Sequence, residues 1–233
     1  MNQTVASTLR KVFRTGMDLP KPNEIDLRLQ QRATDQTCAY IEQAMTRVNP
    51  VATPFKVLEV ALSQVTVKDG LYLEFGVFRG STINFIASKV RAEIHGFDSF
   101  EGLPEFWRDG FDKGTFGENP SLPAVASNVI LYKGWFNETI PPFVATHRQP
   151  IAFLHVDCDL HSSTVTIFEN LSAQIVAGTI IAFDEYFNYP GWQEGEFKAF
   201  REFVQRRNIR YEYLTYNKKH EQVAVKILEI AQP

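Results

Sequence analysis

Five times between residues 70 and 186 a short apolar run stops abruptly on an acidic residue or a glycine. The runs are "LYLEFG" (71–76), "EIHGFD" (93–98), "NVILYKG" (128–134), "IAFLHVD" (151–157) and "GTIIAFDEY" (178–186). Compact runs of this kind read as strands buried on both faces, the habit of parallel strands. Helical patterns lie between and after them, at "STINFIASKV" (81–90), "SSTVTIFENLSAQI" (162–175) and "EGEFKAFREFVQRR" (194–207). Strands alternating with helices predict right-handed βαβ units and a doubly wound α/β sheet. Two further runs, "RYEYLTY" (210–216) and "QVAVKIL" (222–228), have only "NKKHE" between them and predict an antiparallel hairpin.

Residues 1–69 read as a helical extension or lid, and residues 70–233 as the main domain. "NEIDLRLQQRATDQTCAYIEQAM" places apolar residues at helical spacing and ends near Asn49-Pro50. In "TPFKVLEVALSQV", Thr53 is the expected N-cap and Pro54 the first helical residue. Phe55, Leu58, Val60, Ala61 and Leu62 supply its apolar face. Residues 101–127 show little periodicity yet hold Phe106, Trp107, Phe111 and Phe116. A long aromatic loop in such a chain is either packed on the flank or a lid beside a pocket.

Composition narrows the partners. The chain has 233 residues, 44% of them apolar, and a net charge of −3. No basic surplus favours nucleic acid or anionic lipid. Cys38 and Cys158 make no disulfide framework, which points to the reducing cytoplasm. No apolar run approaches the roughly 18 residues of a membrane span. The opening "MNQTVASTLRKVFRTG" lacks the apolar core of a signal peptide.

The unusual polar residues all fall at strand ends, and a doubly wound sheet binds ligands there. Glu74 ends the first strand, Gly76 opens the turn, and Gly80-Ser81 begins a helix whose N-terminus favours an anion. The spacing G-x-x-x-G lacks the middle glycine of the pyrophosphate fingerprint, and Glu74 would repel a pyrophosphate. It would suit an ammonium. A tight βα turn would also explain these glycines. Asp98 can accept from both hydroxyls of a ribose, or form a local turn with Ser99. Asp157 and the pair Asp184-Glu185 end neighbouring runs, and their carboxylates converge if those strands lie side by side. Grouped oxygens suit Mg²⁺, Mn²⁺ or Ca²⁺, and without a cation they repel and raise one another's pKa. Asp159 and His161 read more simply as solvated or capping residues. His155 shares a strand face with Asp157 and is either a core histidine or a supporting partner.

"LEFGVFRGSTINFIA", "GFDSFEGLPEFWRDGFDKGTF", "LHVDCDLHSSTVTIFENL" and "GTIIAFDEY" together resemble the TylF-type macrocin O-methyltransferases. These are class I S-adenosylmethionine-dependent methyltransferases. The resemblance covers about residues 70–200. It implies a Rossmann-like seven-stranded sheet with an antiparallel last strand, and methyl transfer from S-adenosylmethionine to a small-molecule hydroxyl. In the macrolide enzymes the acceptor is a deoxysugar, held by a divalent metal, usually Mg²⁺. By motif, Glu74, Gly76, Gly80 and Ser81 fall at the methionine end of the cofactor. Asp98 and Ser99 fall at the ribose, and the turn holding Gly134 and Trp135 near the adenine. Asp157, Asp184 and Glu185 fall on the metal positions, with Asp157 also the candidate base. That family usually has Asp-Asp or Asp-Asn where this chain has Asp184-Glu185. The longer glutamate puts metal dependence in question, because Mg²⁺ demands near-ideal geometry.

Two other readings compete: a nucleotide-dependent oxidoreductase, which would bind NAD(P), and a methyltransferase-like binding module without turnover. The glycine spacing and Glu74 weigh against the first, the gathered carboxylates against the second. Aromatic residues in "FDEYFNYPGWQEGEF" (183–197) could wall an acceptor pocket, and the N-terminal extension could serve as a homodimer arm.

Overall fold

The computed structural model describes residues 24–117 and 122–231. The stretch considered above for a signal peptide lies outside them. Seven strands form one sheet: β1 (Leu71–Phe75), β2 (Ile94–Asp98), β3 (Val129–Lys133), β4 (Ile151–Val156), β5 (Ile180–Phe183), β6 (Ile209–Tyr216) and β7 (Val223–Ile230). Their order is β3-β2-β1-β4-β5-β7-β6. The first five pair in parallel, and β7 runs antiparallel to both β5 and β6. This is the seven-stranded sheet with reversed last strand that the resemblance implied. Strand order turns back between β1 and β4, so a crevice opens beyond their carboxyl ends.

Among the described residues six α-helices surround the sheet: α1 (Glu24–Ala44), α2 (Pro54–Ser63), α3 (Ser81–Lys89), α4 (Phe136–Thr146), α5 (His161–Leu171) and α6 (Glu196–Arg206). Central strand β4 buries all six of its residues, which is why its apolar run is unbroken. One core lies between the sheet and α4, α5 and α6, where Phe168 stacks on Phe203 with centroids 4.6 Å apart. The other lies under α2 and α3 and holds Val57, Leu58, Ile83 and Ile86. Each such side chain, fully buried, contributes roughly 1.5–3 kcal/mol.

Helix α2 starts as expected. Lys56 N–H donates to the Thr53 hydroxyl oxygen at 3.2 Å, and Pro54 is the first helical residue. Such a cap contributes about 1 kcal/mol. Its buried residues are Val57, Leu58 and Ala61, whereas Phe55 is exposed. Phe55 therefore leaves the expected apolar face and turns outward from the first helical turn.

Helix α4 escaped the sequence pattern because Pro141 and Pro142 lie within it and each removes a backbone donor. Packing holds it: Ile140 and Phe143 are buried, and Phe143 lies edge-on to Phe97 at 5.1 Å.

The N-terminal segment is stitched to the end of the chain. Val51 N–H donates to Tyr216 O (2.8 Å), Lys218 N–H to Val51 O (2.9 Å), and the Thr215 hydroxyl to Asn49 O (2.8 Å). Helix α1 docks through Tyr40, whose hydroxyl lies 2.5 Å from that of Tyr213, itself 2.7 Å from that of Tyr186. Among the described residues no helix is long and apolar enough to cross a membrane.

Candidate active site

The sheet ladder runs one residue past its strands, and this aligns the turns above it. Gly134 N–H donates to Asp98 O (3.0 Å) and Gly76 N–H to Phe97 O (2.9 Å). Asp157 N–H donates to Phe75 O and Asp184 N–H to Val156 O, both at 2.9 Å. A cavity of about 740 Å³ opens over these ends. Gly76, Ser81, Asp98, Ser99, Gly134 and Trp135 line it, and so do Asp157, Asp184 and Glu185. These strand-end residues line one cavity.

Two expected positions stand off the wall. Gly80, at φ +80°, turns the chain into α3, and a Cβ there would face Asn84, Pro123 and Val125. Glu74 is 0% exposed. The Thr82 hydroxyl donates to its Oε1 (3.0 Å), and His155 Nδ1 lies 3.0 Å from its Oε2. Burial raises the Glu74 pKa, opposed by His155 and Thr82. The carboxylate considered for an ammonium is thus engaged by the chain's own groups.

Gly76 has φ +92°, and its backbone passes over the Asp157 carbonyl. Asp98 fastens this turn. Its Oδ2 accepts from Val77 and Phe78 N–H (2.8 Å each), and its Oδ1 from Phe100 N–H (2.7 Å). A carboxylate offers about four acceptor sites, so capacity for a ligand hydroxyl remains. Ser99 works locally: its hydroxyl accepts from Glu101 N–H (3.1 Å) and donates to Gly102 O (3.4 Å).

Acids crowd the other side. His155, Asp157 and Asp184 each offer one ligand atom, all within 4.8 Å of one another. Gln222 Nε2 donates to Asp184 Oδ2 at 3.1 Å. Glu185 is not in that group. Its N–H donates to Glu196 Oε2 (3.2 Å), and its own Oε2 is buried with no hydrogen-bond partner. Glu196 also accepts from Cys158 N–H at 3.3 Å, so one glutamate at the start of α6 ties the tips of β4 and β5 together. Loss of water drives the Asp157, Glu185 and Glu196 pKa values well above the carboxylate range. Asp184 repulsion adds to each of these shifts.

Asp159 is not the solvated residue its position suggested. It is buried, lines the cavity, and sits at φ +64°. Burial raises it to about 7, against the pull of Arg108. His161 does stay outside, 3.0 Å from Glu202. The Asp159 shift has a definite sign. An ordinary aspartate titrates near 4. The folded state therefore holds a proton that the unfolded state has lost, and stability falls as pH rises from about 4 to about 7. Asparagine tolerates the left-handed backbone. Asp159→Asn is expected to be more stable than the parent by on the order of 2 kcal/mol at pH 8, with the gap closing toward pH 4. Urea melts at both pH values check this, and a gap independent of pH would refute it.

The loop from residue 101 packs against this acid group. Leu103, Phe111 and Leu160 form a small core, with Trp107 and Phe116 against it. Arg108 lies 3.8 Å over the Trp107 ring, and its two terminal nitrogens donate to Glu221 at 3.3 and 3.4 Å. Arg108, Glu196 and Glu221 went unmarked in the sequence, since only the folded sheet brings them to Asp159 and Glu185. Phe106, grouped above with the loop aromatics, is exposed.

The chain is similar to several known proteins. Residues 73–186 match the family model described as a methyltransferase domain. The chain is 29% identical over 143 residues to the 8-demethyl-8-(2,3-dimethoxy-alpha-L-rhamnosyl)-tetracenomycin-C 4'-O-methyltransferase of Streptomyces olivaceus, covering 50% of this chain and 53% of that protein. It is 26% identical over 145 residues to the demethyldecarbamoylnovobiocin O-methyltransferase of Streptomyces niveus, covering 52% of this chain and 54% of that one. The chain thus spans about half the length of these curated relatives. In fold it is similar to a calicheamicin methyltransferase, with TM-score 0.63, 22% identity, and coverage of 91% of this chain and 97% of that one. The O-methyltransferase NovP gives a TM-score of 0.53 with 24% identity, covering 76% of this chain and 78% of that one. Residues 73–186 therefore match a methyltransferase domain, about half of the chain is similar in sequence to Streptomyces natural-product O-methyltransferases, and the fold is that of class I methyltransferases.

Proposed function

We propose that the chain is an S-adenosylmethionine-dependent O-methyltransferase acting on a hydroxyl of a small molecule, a sugar or natural-product acceptor of the TylF type. The observation that carries this is one cavity joining the Gly76 turn, Asp98 and Trp135 to the carboxylates of Asp157 and Asp184. When bound, S-adenosylmethionine supplies an electrophilic methyl on a sulfonium. Gly76 and Ser81 border the place for its methionine end, Asp98 and Ser99 its ribose, and Gly134 and Trp135 its adenine. Asp157 then takes the acceptor's hydroxyl proton. Burial and the neighbouring carboxylates raise its pKa and so strengthen its hold on a proton.

The donor set also fits a divalent cation. A ligating histidine is commonly held through its other nitrogen by a carboxylate, and Glu74 is placed to hold His155 in that way. His155, Asp157 and Asp184 would hold the ion, which would lower the pKa of a nearby hydroxyl. Mg²⁺ is the ion the acid-rich site suggests. Residues 1–69 serve as the extension and 70–233 as the catalytic domain. An exposed free Cys38 beside a buried Cys158 fits a reducing, cytoplasmic setting.

Calorimetry with S-adenosylmethionine, S-adenosylhomocysteine and NAD tests the reading. The two sulfur ligands are expected to bind and NAD is not. Binding of NAD alone would favour the oxidoreductase, and no binding would sink the reaction. With an acceptor in turnover, EDTA is expected to suppress methylation and Mg²⁺ to restore it. Full activity in the chelator would remove the cation.

A further inference from the structure

Phe75 and Phe97, at the tips of β1 and β2, stack with centroids 4.7 Å apart and are wholly buried. That is what rings do when their task is packing. Phe55 and Phe78 differ: both line the cavity, yet they remain 41% and 37% exposed. They come from separate elements, the first turn of α2 and the turn after β1. Phe55 rests on Phe85 of α3, with centroids 4.8 Å apart, so only part of its surface is covered. Phe78 sits at φ +48°, a left-handed backbone that bulky residues rarely adopt. The Asp98 carboxylate holds it there through the Phe78 N–H. Strain of this kind persists only where the surrounding structure over-determines the backbone. Phe116, also left-handed at φ +73°, meets Phe78 edge-on at 5.4 Å, and the Arg79 guanidinium lies 4.9 Å from the Phe78 centroid. Asp159 and Glu185 line the same cavity but are buried. At about 740 Å³, the cavity is in the upper range for small-molecule sites and has room for a second molecule beside a cofactor.

We infer that Phe55 and Phe78 are specificity-determining residues that receive a flat, apolar ring system carried by the acceptor, while the acceptor's hydroxyl lies toward Asp157. This rests on the proposed methyl transfer. The acceptor class is then a glycoside or similar hydroxyl compound with an aromatic or fused-ring portion, not a free polar sugar. Ring faces reward such a partner through stacking as well as burial.

Calorimetry on the full chain saturated with S-adenosylhomocysteine tests this with two probes, phenyl and methyl α-L-rhamnopyranoside. The phenyl glycoside is expected to bind about tenfold more tightly. Phe55→Ala and Phe78→Ala are each expected to weaken the phenyl probe about 3- to 10-fold and to leave the methyl probe nearly unchanged. Phe55→Trp, which keeps a ring, is expected to retain the preference. Phe55 is exposed, so its replacement leaves the folded core intact, and a thermal melt of each variant verifies this. Equal binding of the two probes, no binding of either, or a preference that survives both alanine variants would overturn the inference. Failure of S-adenosylhomocysteine itself to bind would instead bring down the reaction on which it rests.

Discussion

Asp157→Asn is expected to lower methyl transfer about 10²–10⁴-fold, the usual contribution of a positioned general base. The substitution keeps the side chain's shape and removes its ability to take a proton. Affinity for S-adenosylhomocysteine is expected to persist, because Gly76, Asp98 and Trp135 belong to other strand ends. Stability is expected to rise. Asp157 lies among Asp184, Asp159, Glu74 and Glu196, all of which push its pKa upward beyond the effect of burial. An amide there removes the cost of ionising a buried acid beside those carboxylates. A less active but more stable protein is the signature of a residue retained for chemistry. Single-turnover rates with a thermal melt on the same sample check both halves. An Asp157→Asn protein with near-parental activity would remove Asp157 as the base. One that fails to fold would give its carboxylate a structural role.

Gly76→Ala is expected to be among the most damaging substitutions in the chain. An added Cβ would lie 1.7 Å from the Asp157 carbonyl oxygen and 2.7 Å from its carbon. Both atoms are backbone, so no side chain can swing away. The tips of β1 and β4 would have to part, breaking the Asp157 N–H to Phe75 O bond that aligns them. Overpacking and an alanine at positive φ together cost on the order of 3–5 kcal/mol. Gly191 supplies the control. It has φ +85°, and a Cβ there would meet nothing within 4 Å, so Gly191→Ala reports the backbone cost alone. Urea unfolding is expected to separate the two variants by at least about 2 kcal/mol. Equal losses would mean that the close approach at Gly76 is easily relaxed.

Much of this architecture was legible in the chain. Buried parallel strands write themselves as apolar runs, and the short "NKKHE" link left the last two strands little choice but a hairpin. Thr53 and Pro54 marked the start of α2 because capping is local chemistry. What escaped was set by contacts distant in sequence. Helix α4 hides behind Pro141-Pro142, since its stability comes from packing on the sheet and not from propensity. Glu196 and Glu221 look like ordinary surface acids until α6 and β7 are laid beside β4 and β5. Asp159 reads as a solvated or capping residue, yet its backbone is left-handed and it lies buried in the cavity wall. His155 could be placed on the face of Asp157 by alternation alone. Its spacing from Asp184 depends on the β4–β5 register, which no single stretch encodes.

The stitch between residues 49–51 and the last hairpin has a consequence for biogenesis. Thr53, Pro54 and Phe55 border the cavity, and the backbone just before them is anchored on residues 215–218. A ribosome delivers these partners in the reverse of the order that would be convenient. β1 to β5 precede residues 215–218 in the chain, and the turns at their ends line the cavity. The strand that receives the stitch follows all of them. During synthesis the strand-end turns of the cavity thus precede the contacts that anchor its wall at residues 53–55. A chain stalled before residue 215 would be left with a half-built pocket whose apolar rim is open to water and to other chains.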